Sequence, residues 1–297
     1  MKDKIRELLH KRRAILLAHN YQPPEIQDIA DLCGDSLELS IKASQTDADV
    51  IVFCGVHFMA ETASILSPSK TVLLPKLNAG CPMADMITPE ALQNKLKQMP
   101  NNIPVVTYVN SPASVKALST ICCTSANAVE VVQHIDAKEV LMTPDRNLAQ
   151  YTSRFSDKKI HFWDGYCPIH NHLTVDMVIK AKKTYPNALF IAHPECPPDV
   201  LDLADKIMST SGMLSFTKQT QVKEFIIGTE MGLLYPLQKE NPDKTFYPAS
   251  DVLLCHDMKK ISLNDVLLCL ENMAPVITVT DEIQQLALNA VQKMIAR

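Results

Sequence analysis

Residues 77–85 read LNAGCPMAD, and residues 88–96 read TPEALQNKL. A glycine frees the backbone before Cys81, a proline fixes it after, and Thr88 opens a helical pattern seven residues on. Ser and Thr are good helix N-caps because the side-chain oxygen accepts a free backbone N–H, and Pro89 fits the first helical position. The arrangement returns twice. Cys167 precedes Thr174 and TVDMVIKAK by seven residues, and Cys255 stands in the same relation to Ser262 and SLNDVLLCL. The three cysteines are 86 and 88 residues apart.

Upstream of each cysteine lies a matching set of apolar runs. The first set is 14–21, 50–56 and 71–75, the second 104–110, 139–143 and 159–163, the third 188–194, 224–230 and 245–248. Helical stretches such as EIQDIADL and PDVLDLADKI separate them. Strands alternating with helices predict parallel α/β units. His19, Tyr108 and His193 end the three leading strands, and a small hydroxyl follows each after seventeen residues: Ser36, Ser125 and Thr210. A period near 87 is long for a solenoid and suits three small related domains. The divisions are 1–87 with 262–297 returning to it, 88–173, and 174–261. PVITV (275–279) reads as the start of a further leading strand, and the last residues as an amphipathic closing helix.

Composition sets the remaining bounds. The chain has 297 residues, 46% of them hydrophobic, and a net charge of −4. With no basic run, a nucleic-acid-binding surface is not expected. The opening MKDKIRELLHKRR lacks the apolar core of a signal peptide, and no apolar run reaches membrane-span length. The expected setting is cytoplasmic, where nine cysteines stay reduced and favour metal binding or catalysis over disulfides.

Parallel α/β sheets bind ligands at the carboxyl ends of their strands. Three such ends turned inward form one cavity holding three cysteines, three hydroxyls and the His or Tyr groups. Three thiolates fit a mononuclear zinc site that finds a fourth ligand, or an iron–sulfur cluster with one iron lacking a protein ligand. The other cysteines (33, 54, 122, 123, 196 and 269) read as small buried hydrophobes. The hydroxyl loops CGDSLELS, CCTSANAVE and STSGM suit phosphate or carboxylate if a helix starts there, or simple capping. AHNYQ and AHPEC place His19, Tyr21, His193 and Glu195 as acid–base types. GYCPIHNHL sets His170 and His172 beside Cys167, a weak local zinc pattern.

In these segments, together with FCGVHFMAETASIL, AGCPMAD, YVNSPASVKA and CHDMK, the chain closely resembles the bacterial quinolinate synthase family, the A protein of de novo NAD biosynthesis. The resemblance runs end to end. It implies three homologous three-layer α/β domains in pseudo-threefold arrangement around a central site with a [4Fe–4S] cluster on Cys81, Cys167 and Cys255. It implies condensation of iminoaspartate with dihydroxyacetone phosphate to quinolinate, losing phosphate and two waters, with the open iron as Lewis acid. His19, Ser36, Tyr108, Asn110, Ser125, His193, Glu195 and Thr210 match positions lining the family's substrate site. Tyr21 and Glu195 match acid–base candidates, and Tyr108 and His193 stand with them as catalytic candidates. An aspartate oxidase or dehydrogenase is the implied source of iminoaspartate. The chain departs from the family pattern at Ala126 and Ala149. The longer Cys-rich C-terminal motif of some family members is absent and Cys255 stands alone in its segment, which argues against a disulfide switch near that ligand. Two other readings compete: a hydro-lyase using the same open iron on a hydroxy acid, and a non-catalytic iron–sulfur sensor or electron carrier.

Overall fold

A computed structural model describes residues 1–296. Among them, twelve strands form three all-parallel sheets of four. The first sheet holds β1 (Ala14–His19), β2 (Leu32–Gly34), β3 (Val50–Cys54) and β4 (Thr71–Leu73), in the order β2-β1-β3-β4. The second holds β5 (Val105–Tyr108), β6 (Ile121–Cys123), β7 (Glu139–Thr143) and β8 (Lys159–Phe162), in the order β6-β5-β7-β8. The third holds β9 (Leu189–Ala192), β10 (Lys206–Ile207), β11 (Glu224–Gly228) and β12 (Thr245–Pro248), in the order β10-β9-β11-β12. The three orders are the same, so the chain is α/β with one topology used three times. All nine expected runs are strands, most of them trimmed by a residue or more at the ends.

The expected helices over EIQDIADL and PDVLDLADKI are mostly absent. Only Pro24–Gln27 and Pro198–Leu201 are helical, and the chain then enters β2 and β10. The cause is local. Asp31 accepts the Leu16 N–H at 2.7 Å while its own N–H bonds the Leu16 carbonyl at 2.8 Å. Asp205 makes the same reciprocal pair with Phe190, and Thr120 with Val105. A short polar side chain that captures backbone in this way competes with the helix. It turns the chain into a short edge strand beside the leading strand. Two or three residues carry no readable alternation, so β2, β6 and β10 are invisible in the hydrophobic pattern.

The predicted caps form. Thr88 accepts from Ala91 N–H, Thr174 from Met177 N–H and Ser262 from Asp265 N–H, with Pro89 in the first turn. The central strands are packed from both faces: all five residues of β3 are buried. Phe53, Phe190 and Phe225 are among the largest fully buried side chains, each contributing about 1.5–3 kcal/mol by burial.

The tail behaves differently from a leading strand. Val276 makes a single antiparallel bridge to Leu73 in β4. The closing helix Asp281–Ile295 then packs on helix His57–Leu66, helix Ala113–Lys116 and β6. It thereby straddles the first and second sheets' elements. Asn127 Nδ2 donates to the Met294 carbonyl at 3.1 Å. No helix among the described residues is long and apolar enough to cross a membrane.

Candidate functional site

The carboxyl ends of the three leading strands open on one cavity of about 70 Å³. All twelve residues singled out from sequence line it: Cys81, Cys167 and Cys255; Ser36, Ser125 and Thr210; His19, Tyr21, Tyr108, Asn110, His193 and Glu195. Residues up to 236 positions apart therefore meet because each sheet delivers the same set of loops.

The hydroxyl loops are not simple caps. Asp35 caps helix Ser36–Gln45, accepting from Leu37 and Glu38 N–H at 2.9 and 3.0 Å. Ser209 caps helix Thr210–Gln219, accepting from Gly212 N–H at 3.2 Å. Ser36 and Thr210 are thus the first helical residues, one position past the cap. Thr210 Oγ1 accepts from Asn20 Nδ2 at 3.0 Å. Ser125 precedes helix Ala128–His134 and meets His193 Nε2 at 3.2 Å. Two ten-residue helices begin at the cavity, where unpaired N–H groups and the helix dipole favour anions.

Two of the three cavity histidines, His19 and His193, repeat one local motif. His19 Nδ1 accepts the Tyr21 N–H at 3.1 Å, and His193 Nδ1 accepts the Glu195 N–H at 3.3 Å. A ring nitrogen that accepts is unprotonated, which leaves the proton on Nε2. Burial holds both rings neutral, their pKa values lowered to about 3, with the Lys259 charge adding for His19. The two rings can therefore donate from Nε2 without carrying charge.

A buried hydrogen-bonded line links the acid–base candidates. The Tyr21 hydroxyl meets Thr229 Oγ1 at 2.6 Å, and Thr229 Oγ1 meets His170 Nε2 at 2.8 Å. His170 Nδ1 lies 2.6 Å from Glu195 Oε2 and 3.2 Å from Cys167 Sγ. The His170 ring stacks on His193, centroids 4.6 Å apart. Burial alone pushes the Glu195 carboxyl up. The His170 ring, 2.6 Å away and hydrogen-bonded to the carboxylate, with the Tyr108 hydroxyl, outweighs it and holds the carboxyl below its usual value. Tyr21 and Tyr108 are pushed well above the usual phenol value, by burial first and then by the Glu195 charge. The site thus pairs a carboxylate with two neutral phenols.

The cysteines are free thiols. Burial pushes Cys81 up to about 12 and raises Cys167 and Cys255. A thiolate here needs a cation, and a soft metal centre supplies one. Each cysteine loop is also tied to a carboxylate. Asp145 accepts the Cys167 N–H at 3.0 Å, Glu230 accepts the Cys255 N–H at 3.1 Å, and Asp257 accepts the Gly80 N–H at 3.1 Å. Three thiols from three sheets on one cavity, each loop tied to a carboxylate, fit a cluster with three protein ligands. The remaining cysteines pack in or against the hydrophobic clusters.

Sequence reasoning passed over His170, Thr229, Asp145, Glu230 and Lys259. His170 was visible only as part of a local zinc pattern with His172. His172 is exposed and takes no part, whereas His170 is buried in the cavity with Cys167 and Glu195, the possible ligand atoms of the three lying within 4.8 Å of one another.

The model of the family described as quinolinate synthetase A protein matches residues 3–296. The chain belongs to the quinolinate synthetase A family. Relatives named quinolinate synthase include those of Geobacter sp. (strain M21), 56% identical over 296 residues, and Geotalea uraniireducens (strain Rf4), 57% identical over 296 residues. Each match covers 100% of this chain and 97% of the relative. The quinolinate synthase 1 of Methanosarcina acetivorans is 53% identical over 293 residues, covering 99% of this chain and 96% of the relative. Membership of the quinolinate synthetase A family, with its place in NAD biosynthesis, spans the cavity's every loop, since the match begins before His19 and ends after Cys255.

Proposed function

We propose that the protein is a quinolinate synthase of the cytoplasm, joining iminoaspartate to dihydroxyacetone phosphate and releasing quinolinate, phosphate and two waters. One observation carries the reading. The twelve residues matched from the family motifs converge on a single cavity in a chain matched to that family from residue 3 to 296.

Cys81, Cys167 and Cys255 are the residues that hold a [4Fe–4S] cluster. When bound, the cluster supplies a Lewis-acidic iron to the cavity. The protein's own residues supply the rest. Both substrates are anions, and the N-termini of helices Ser36–Gln45 and Thr210–Gln219, with Ser36, Ser125 and Thr210, hold carboxylate and phosphate oxygens. Neutral His19 and His193 add Nε2–H donors. Asn110 Oδ1 is buried without a hydrogen-bond partner among the described residues and accepts a substrate N–H or O–H.

Carbon–carbon bond formation and two dehydrations require protons to leave carbon and reach departing oxygens. Glu195, ionised, takes a proton. Tyr21, held as a neutral phenol, gives one and is recharged along Thr229 and His170. Enclosure by three lobes limits water at the reacting atoms. An aspartate-oxidising enzyme, an oxidase or dehydrogenase, supplies iminoaspartate.

The test is direct. Anaerobically reconstituted protein is given dihydroxyacetone phosphate with iminoaspartate generated in place, and quinolinate is measured by chromatography. Formation of quinolinate supports the proposal. Its absence from protein carrying a full cluster refutes the proposal and favours a hydro-lyase acting on a hydroxy acid. Glu195→Gln retains the cluster and loses most turnover; normal turnover removes Glu195 from the chemistry.

A further inference from the structure

Lys259 stands where the first and third lobes meet. Its Nζ lies 2.9 and 3.0 Å from the two Glu230 oxygens and donates to the Tyr21 carbonyl. Glu230 is almost wholly buried. Its Oε1 accepts the Cys255 N–H at 3.1 Å, and its Oε2 accepts the Gly232 N–H at 2.7 Å. The ion pair lies within the third lobe, beside Cys255, and its ammonium reaches the loop bearing Tyr21 through the hydrogen bond to the Tyr21 carbonyl.

Gly232 completes the arrangement. A Cβ there lies 2.5 Å from Lys259 Nζ, 2.7 Å from Glu230 Oε2 and 2.7 Å from the Tyr21 carbonyl oxygen. Any side chain displaces the ammonium from its partners. The constraint is therefore spatial, with no left-handed backbone involved. Asp145 braces Cys167 in the second lobe by the same carboxylate-to-N–H bond, yet its hydrogen bonds include no lysine. The cation is particular to the seam between the first and third lobes.

We propose that Lys259 is a positioning residue that fixes Tyr21 relative to Cys255 through Glu230. The acid–base line begins at Tyr21 and the metal-binding set ends at Cys255. Neither loop belongs to the other's sheet, and the charged Lys259 contact reaches across the seam beside the hydrogen bond from Gln22 Nε2 to the Met258 carbonyl at 2.8 Å. The proposal rests on the cluster-dependent reading above for its catalytic meaning. The physical coupling itself exists in the chain without metal.

The test uses full-length Lys259→Met, Lys259→Arg and Gly232→Ala, with Leu92→Ala as a control buried in a separate cluster. Hydrogen exchange is followed by mass spectrometry on iron-free protein. In Lys259→Met and Gly232→Ala, peptides containing Tyr21 and Cys255 exchange at least tenfold faster together, while the Cys167 peptide stays within twofold. Lys259→Arg restores most of the protection, and Leu92→Ala does not accelerate the pair. Unchanged exchange, or a change confined to one of the two loops, overturns the proposal. Gly232→Ala keeps both charges, so it carries the test if Lys259→Met does not fold. In reconstituted protein, Lys259→Met lowers kcat at least tenfold with KM within threefold, and chelator bleaches its chromophore faster than the wild type's. Native kcat and native bleaching overturn the positioning role. Wild-type protein that assembles no cluster refutes the synthase reading and leaves the exchange result standing.

Discussion

Thr229→Val removes the oxygen at the middle of the acid–base line while nearly keeping its shape. Thr229 is 1% exposed, and its Oγ1 is the partner of both the Tyr21 hydroxyl and His170 Nε2. Leaving a buried polar group unpaired costs about 1–3 kcal/mol, so two such groups cost about 2–6 kcal/mol. The added methyl returns about 0.8 kcal/mol by burial. The expected loss is about 3 kcal/mol, with about 1 kcal/mol as the lower bound. At roughly 2 °C per kcal/mol for a chain of this size, melting falls by about 6 °C. Thr229→Ser keeps the oxygen, loses one methyl group and costs about 1 kcal/mol. Turnover separates the variants further. With Tyr21 and His170 free to rotate away from Glu195, kcat in Thr229→Val drops at least tenfold, while Thr229→Ser stays within threefold. Thermal unfolding of iron-free protein and quinolinate formation by reconstituted protein read the two effects. Equal melting and equal turnover in the two variants refute the reasoning, because the hydroxyl then contributes neither hydrogen bond.

Three further outcomes are expected. Changing Cys81, Cys167 or Cys255 singly to Ser abolishes the brown chromophore or makes it labile, whereas Cys33→Ser and Cys269→Ser keep it. Iron and sulfide analysis checks this, and cluster loss in Cys33→Ser with retention in Cys81→Ser reverses the assignment. Gly228→Ala drives a Cβ to 2.7 Å from the Phe190 ring and 3.3 Å from the Ala192 backbone, an overpacking worth about 1–3 kcal/mol. A urea midpoint no lower than wild type contradicts it. Acid destabilises the iron-free protein through His19 and His193. Their folded pKa values are lowered to about 3 from 6.5, so between those values the unfolded chain binds more protons and stability rises with pH. The stabilisation is complete above pH 6.5 and is lost as pH falls toward 3, about 2–3 kcal/mol per ring by pH 4.5. His19→Gln flattens that slope in urea titrations, and an unaltered slope argues against a neutral His19.

Much of the frame was readable in advance because burial and repetition leave patterns. The nine expected strands lie in apolar runs flanked by loops, and Thr88, Thr174 and Ser262 cap helices as their spacing implied. The edge strands β2, β6 and β10 escaped detection. β10 is two residues long, and the Asp205–Phe190 pair that creates it joins residues fifteen apart with no apolar signature. The hydroxyls Ser36 and Thr210 were located, yet their state was not. A capping oxygen is engaged with backbone, whereas an oxygen one residue later is free to face a cavity. Only the helix start, set by Asp35 and Ser209, separates the two cases.

The residues missed in the site share one property: they break the threefold pattern. The positions equivalent to His170, three after each cysteine, are Ala84 and Met258. Strand pairing aligns Cys54, Thr143 and Gly228 across the three sheets. Thr229 then corresponds to Gly55 and Pro144, and Glu230 to Val56 and Asp145. Two lobes brace their own cysteine loop with a carboxylate at that position. The first lobe has Val56 there, and Asp257 of the third lobe reaches across to Gly80 instead. Threefold repetition builds a symmetric cradle, which suits three identical thiols. Proton transfer is directional and needs a donor on one side and an acceptor on the other. A symmetric set of residues supplies no such direction. The line from Tyr21 to Glu195 therefore has to be assembled where the copies differ, and a reading founded on their likeness finds the cradle before the chemistry.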